Sequence, residues 1–134
     1  MSKMVPRFQF FDWDLNRLGD PLFRPPYPND VCFNASFSKI AATYNSEVRV
    51  FDSAGSVLAS FPSPEGQVIS SIALHPDGHE IGVLTIEGDF YRLDASTGEI
   101  IFQTRHEFGV SCDYFRGGRR LIVYGMKGSL VMSV

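Results

Sequence analysis

Cysteine is scarce in this chain of 134 residues, with two in all, and histidine is nearly as rare, with three. Cys32 and Cys112 sit in apolar stretches without metal-ligand spacing, so neither a zinc-finger framework nor a disulfide-stapled secreted domain is indicated. Both read as small reduced core residues, which suits a cytoplasmic protein. Basic charge is not in excess either: 12 Lys and Arg against 15 Asp and Glu give a net charge of −3, offering no general attraction to nucleic acid. No apolar run is long enough to span a bilayer. Lys3 and Arg7 are not followed by the apolar core of a secretory signal. Helical periodicity sustained over ten or more residues is also missing.

What is present is a repeat of about 40 residues. Gln9-Phe10-Phe11-Asp12 is followed by Leu18-Gly19-Asp20, Arg49-Val50-Phe51-Asp52 by Ala54-Gly55-Ser56, and Tyr91-Arg92-Leu93-Asp94 by Thr97-Gly98-Glu99. Each reads as strand, turn, strand. The Asp folds its carboxylate onto turn amides and the Gly supplies a positive φ. Asp52 and Asp94 are therefore read as turn-makers, their recurrence arguing for folding against catalysis.

Between these hairpins lies a second repeated pair. Val31 to Phe37 leads into Lys39 to Tyr44, Val68 to Leu74 into Glu80 to Thr85, and Val110 to Phe115 into Leu121 to Tyr124. Short turns join them: Ser38, His75-Pro76-Asp77-Gly78 and Arg116-Gly117-Gly118. These strands are apolar at nearly every position, as strands covered on both faces are. The expected fold is all-β, a partial WD40-like β-propeller of about three four-stranded antiparallel blades, in a single domain spanning 1–134. Residues 8–28 would end a first blade, 29–64 and 65–107 would form the second and third, and 108–134 would form an incomplete last one. Roughly four to eight blades close a ring. The expectation is therefore that further chain completes the ring, or that open edges pair with another chain.

No catalytic constellation emerges. There is no Gly-x-Ser-x-Gly elbow, and Gly117-Gly118 joins strands where a phosphate loop would open a helix. His75 and His79 are four apart, but Pro76 and Gly78 between them forbid a shared helical face, so no metal or other cofactor is expected. His106 reads as a solvated loop residue. Two surfaces carry a sharper reading beside a plain one. Arg116, Arg119 and Arg120 crowd a glycine turn. They are either a solvated hairpin tip or, by imperfect similarity to the Phe-Arg-Arg-Gly signature of phosphoinositide-binding propellers, an anionic-lipid loop giving peripheral membrane association. Trp13, Phe23 and Tyr27, in an aromatic and proline-rich stretch, either fill the gap between blades or form a partner surface.

The order of several elements resembles the N-terminal propeller region of the vacuolar protein sorting-associated protein 16 family, subunits of the HOPS and CORVET tethering complexes. The resemblance rests on Asp12-Trp13-Asp14-Leu15, the run from Val48 to Ser60, Glu87-Gly88-Asp89-Phe90-Tyr91-Arg92-Leu93, and Lys127-Gly128-Ser129-Leu130. It implies a non-catalytic scaffold binding other subunits during endosome-to-vacuole or lysosome tethering, with no catalytic residues to carry over. Its location would be cytoplasmic, peripheral on late endosomal or vacuolar membranes. His75-Pro76-Asp77-Gly78 is instead similar to ordinary WD-type repeats, which keeps an unrelated WD-type adaptor open as the alternative.

Overall fold

The computed structural model describes residues 28–134. Trp13, Phe23, Tyr27 and the strands expected between Phe8 and Phe23 lie outside the described residues. Those described form three antiparallel sheets in which every strand pairs with its neighbour in sequence. The first sheet is β1 (Asp30–Phe33), β2 (Lys39–Tyr44), β3 (Glu47–Asp52) and β4 (Val57–Pro62). The second is β5 (Ile69–Leu74), β6 (Glu80–Thr85), β7 (Asp89–Asp94) and β8 (Ile100–Arg105). The third is β9 (Gly109–Phe115), β10 (Arg120–Gly125) and β11 (Gly128–Ser133).

The sheets stack face to face around their first strands, β5 touching β1 and β2, and β9 touching β5 and β6. Strand alternation sorts the side chains of the middle sheet onto two apolar faces. Ile72, Leu74, Ile81, Val83, Tyr91 and Leu93 pack against Ala41, Val48, Val50 and Phe61 of the first sheet. Ala73, Leu84 and Phe90, on the opposite face, pack against Cys112, Tyr114, Leu121 and Val123 of the third. Every residue of β6 is buried in consequence, which is why its sequence shows no polar alternation. Full burial of side chains such as Leu84, Phe90 and Leu121 contributes about 1.5–3 kcal/mol each.

The turns form as their chemistry dictates. Asp52 Oδ1 accepts the Ala54 and Ser56 amides at 3.0 and 2.9 Å, and Asp94 Oδ1 accepts those of Ser96 and Thr97 at 2.8 and 3.1 Å. One strand is shorter than its apolar run suggests. β1 stops at Phe33, not Phe37, because Asn34 keeps one backbone bond, its N–H donating to the Lys39 carbonyl at 3.2 Å, and offers its side chain in place of the return bond. Its Oδ1 accepts the Lys39 amide at 3.0 Å and its Nδ2 donates to Ser38 Oγ at 2.9 Å, while Phe37 turns to a φ of 57°.

Candidate functional site at the rim of three turns

The turn that opens each sheet lies beside its counterpart in the next. The Ala35 amide donates to the Pro76 carbonyl at 3.0 Å, and Lys39 Nζ to the Gly78 carbonyl at 3.3 Å, joining the first turn to the second. His75 Nε2–H donates to the Gly118 carbonyl at 3.1 Å, joining the second to the third. Gly118 has a φ of +87°, and a Cβ there would run into the His75 ring, so glycine is required for the approach. The His75 ring also meets Tyr114 edge-on, centroids 5.1 Å apart.

Beneath this rim lies a buried charge. Glu80, 2% exposed, accepts Arg92 Nε and Nη2 at 2.7 and 2.9 Å and the Tyr114 hydroxyl at 2.8 Å. Desolvation pushes the Glu80 carboxyl up, but the hydrogen bonds from Arg92 and Tyr114, with the Arg92 charge, outweigh it and hold the group below the ordinary glutamate range. Burial, and then donation to Glu80, push the Tyr114 phenol far up, so it remains a donor. The network spans the junction between the second and third sheets and satisfies a carboxylate that would otherwise be costly to bury.

Above it, His75, Asp77 and His79 converge. Their ligand-type atoms all lie within 4.8 Å of one another. Asp77 Oδ1 is 2.8 Å from His75 Nδ1 and also contacts His79 Nδ1, and the two imidazole centroids are 4.3 Å apart. His79 Nε2 faces Glu80 Oε1 at 3.3 Å. Desolvation is the largest single influence on Asp77 and opposes its ionisation, but hydrogen bonds from the His79 amide and ring, with electrostatic attraction to the two neighbouring histidines, together outweigh it and hold the carboxyl at about 2. The histidines do not share a helical face; the reversal at Pro76 and Gly78 brings them together instead. The Pro-Asp-Gly turn between the two histidines is the sequence signal for this proximity, which helical spacing does not carry. His106 lies elsewhere, its Nε2–H donating to the Gly128 carbonyl at 3.0 Å.

Arg116, Arg119 and Arg120 line an open pocket of about 400 Å³ with Ser133 and Val134. Arg119 Nε donates to the Arg116 carbonyl at 3.3 Å, and Arg120 Nη1 to Ser133 Oγ at 2.6 Å. The arginines are exposed and therefore available to a ligand. Cys32 and Cys112 are free thiols. Burial pushes the Cys112 thiol up to about 12 and the half-buried Cys32 higher still, which disfavours the thiolate at both.

The last sheet differs from the middle one on its far face. Phe115, Tyr124 and Val131 stand at the positions His75, Leu84 and Arg92 hold in the second sheet. There the side chains are covered by the third sheet; here they are 37%, 38% and 50% exposed.

No family model matches this chain, and no curated protein matches it. Solved structures do. The β-propeller domain of Cps50 (Swd1) from Myceliophteria thermophila is 12% identical with a TM-score of 0.67, the match covering 84% of this chain and 36% of that one. Kuenenia stuttgartiensis hydrazine synthase is 14% identical with a TM-score of 0.70, covering 81% of this chain and 33% of that one. The chain therefore spans about a third of either solved chain. At such identities the likeness concerns the fold: the chain is all-β, a partial WD40-like β-propeller of consecutive antiparallel sheets.

Proposed function

We propose that the chain is a non-catalytic protein-interaction scaffold, a sector of a β-propeller that completes its surface by binding other protein. The observation that carries this reading is the exposed face of the third sheet, where Phe115, Tyr124 and Val131 occupy positions that are covered at the junction one sheet earlier. This twisted face, where Phe115, Tyr124 and Val131 stand beside Asp113 and Arg120, suits another sheet of mixed character, and burying its apolar part is favourable by about 25 cal/mol per Å². Among the described residues no helix is long and apolar enough to cross a membrane.

The finer reading is work within a tethering complex at late endosomal or vacuolar membranes, as the resemblance of the sequence implies. The Swd1 propeller is a fold neighbour and lends no support to that compartment over another. Affinity purification from cells tests both levels. Recovery of endolysosomal tethering subunits with the parent chain, and their loss with Tyr124→Lys, is the expected result. A set of other partners lost with Tyr124→Lys would leave the scaffold and remove the tethering role. A set unchanged by the substitution would remove the binding face.

A second reading is favoured by the pocket between Arg116, Arg119 and Arg120, which suits an anionic headgroup. Liposome flotation with and without phosphoinositide tests it. Recovery of the parent but not of Arg119→Glu supports lipid contact, and equal recovery ends it.

A further inference from the structure

The five-residue turn His75-Pro76-Asp77-Gly78-His79 has a geometry that folding of the hairpin does not require. A Pro-Asp-Gly turn closes through its own backbone, here by Gly78 N–H donating to the His75 carbonyl at 2.8 Å and His75 N–H to the Glu80 carbonyl at 2.9 Å. Neither imidazole contributes to those bonds, yet both rings are oriented. Each points Nδ1 at the Asp77 carboxylate and Nε2 away from it, toward an acceptor.

The acceptors behind the rings are of the kind that position metal-bound histidines. His75 Nε2–H is held by the Gly118 carbonyl, and a carbonyl only accepts, so Nδ1 carries the lone pair. The Asp77 amide donating to that Nδ1 at 3.2 Å agrees with this tautomer. His79 Nε2 lies 3.3 Å from Glu80 Oε1, the carboxylate fixed by Arg92 and Tyr114, which would accept its proton once Nδ1 is given to a metal ion. A carbonyl behind one ring and a carboxylate behind the other are the usual outer partners of a histidine-bound dication, raising ligand basicity and fixing the ring. His75 Nδ1 brings a lone pair and His79 Nδ1 shares a proton with the Asp77 carboxylate, so two ring nitrogens and a carboxylate oxygen converge, and a cation entering among them would take the place of that proton.

We propose that this turn is a binding site for a divalent transition-metal ion, held by His75 Nδ1, Asp77 Oδ1 and His79 Nδ1, with its remaining position open to solvent. Two imidazoles and one carboxylate suit Zn²⁺, Ni²⁺ or Cu²⁺ and disfavour Ca²⁺ and Mg²⁺, which prefer all-oxygen sets. Bonds of about 2.0–2.2 Å hold ligand atoms about 3 Å apart, so the carboxylate must move outward slightly as the ion enters. That movement is cheap because the Asp77 side chain is 63% exposed. His75 is buried and anchored to the third sheet through Gly118, so an ion here would fasten an exposed turn to the junction between two sheets.

The test uses the full chain, free of any affinity tag and cleared with chelator, titrated with Zn²⁺ while the imidazole resonances are followed by NMR. The chain has three histidines, so the assignment is simple. Saturable shifts at His75 and His79 near one equivalent, with His106 unmoved, are expected. Binding should weaken by at least about tenfold in His79→Ala and in Asp77→Asn, both substitutions at exposed positions whose folding circular dichroism would verify. Equal affinity in the folded variants, equal shifts at all three histidines, or no shift other than that produced by pH alone would overturn the proposal.

Discussion

The hydroxyl of Tyr114 on the third sheet donates to Glu80 Oε2 on the second at 2.8 Å, so the junction between two sheets turns on one buried carboxylate. Removing only that hydroxyl tests the contribution. Tyr114→Phe keeps the ring against His75 and leaves Glu80 with Arg92 as partner. A loss of about 1.5–3 kcal/mol is expected from urea denaturation, with an unchanged dependence on denaturant. A loss under about 0.5 kcal/mol would mean that the Arg92 pair alone satisfies the carboxylate.

Acid should weaken the same junction. The Glu80 pKa lies below its ordinary 4.5 in the folded chain, so the ionised group stabilises the fold at every pH above that value. The contribution is lost as pH falls through the lower, folded-state pKa. Denaturation midpoints measured from pH 7 down to pH 3 should fall more steeply for the parent than for Glu80→Gln. Glu80→Gln should be the less stable of the two at neutral pH, because it keeps one acceptor oxygen for the three donors of Arg92 and Tyr114, turns an NH2 donor toward them and removes the charge that pairs with Arg92. Parallel pH profiles would contradict this account.

Gly98 and Gly117 separate two causes of glycine preference. Both have positive φ, +77° and +65°, but a Cβ on Gly98 would lie 2.6 Å from Phe61 Cγ in the neighbouring sheet, whereas one on Gly117 meets nothing within 4 Å. Gly117→Ala should cost about 1–2 kcal/mol, the penalty of the left-handed conformation alone. Gly98→Ala should cost more, since Phe61 must also give way. Equal thermal shifts for the two variants would show that Phe61 moves freely.

Val131 tests the exposed face of the third sheet. Because it is half exposed, Val131→Lys should change the chain's own stability by no more than about 0.5 kcal/mol. It should nevertheless abolish self-association or partner binding through that face, read by light scattering and by recovery of partners. A variant that unfolds, or one that binds as the parent does, contradicts the assignment.

Much of the architecture could be read from residues because its causes are local. Strand alternation, and the Asp and Gly of each hairpin, act within a few positions, and Asp52 and Asp94 hold their turns by that mechanism. β1 is shorter than its apolar run because Asn34, neutral by pattern, accepts the Lys39 amide with its side-chain oxygen where a backbone carbonyl would continue the ladder. The junction network was hidden for a different reason. Glu80 and Arg92 lie two register positions apart across β6 and β7, and Tyr114 arrives from another sheet, so their meeting depends on how whole sheets stack. An isolated Glu opening the buried strand Glu80–Thr85 was the available sign that a partner had to exist.

That the described strands pair only with strands next to them in sequence has a further consequence for how the chain is made. A sheet whose ladders close over neighbouring segments can zip as its own residues leave the ribosome, with no need of anything still to be synthesised. When Cys112, Tyr114 and Leu121 emerge, Ala73, Leu84 and Phe90 already form the surface that receives them. Growth by accretion of one sheet on the last means that each newly finished sheet serves as the template for its successor.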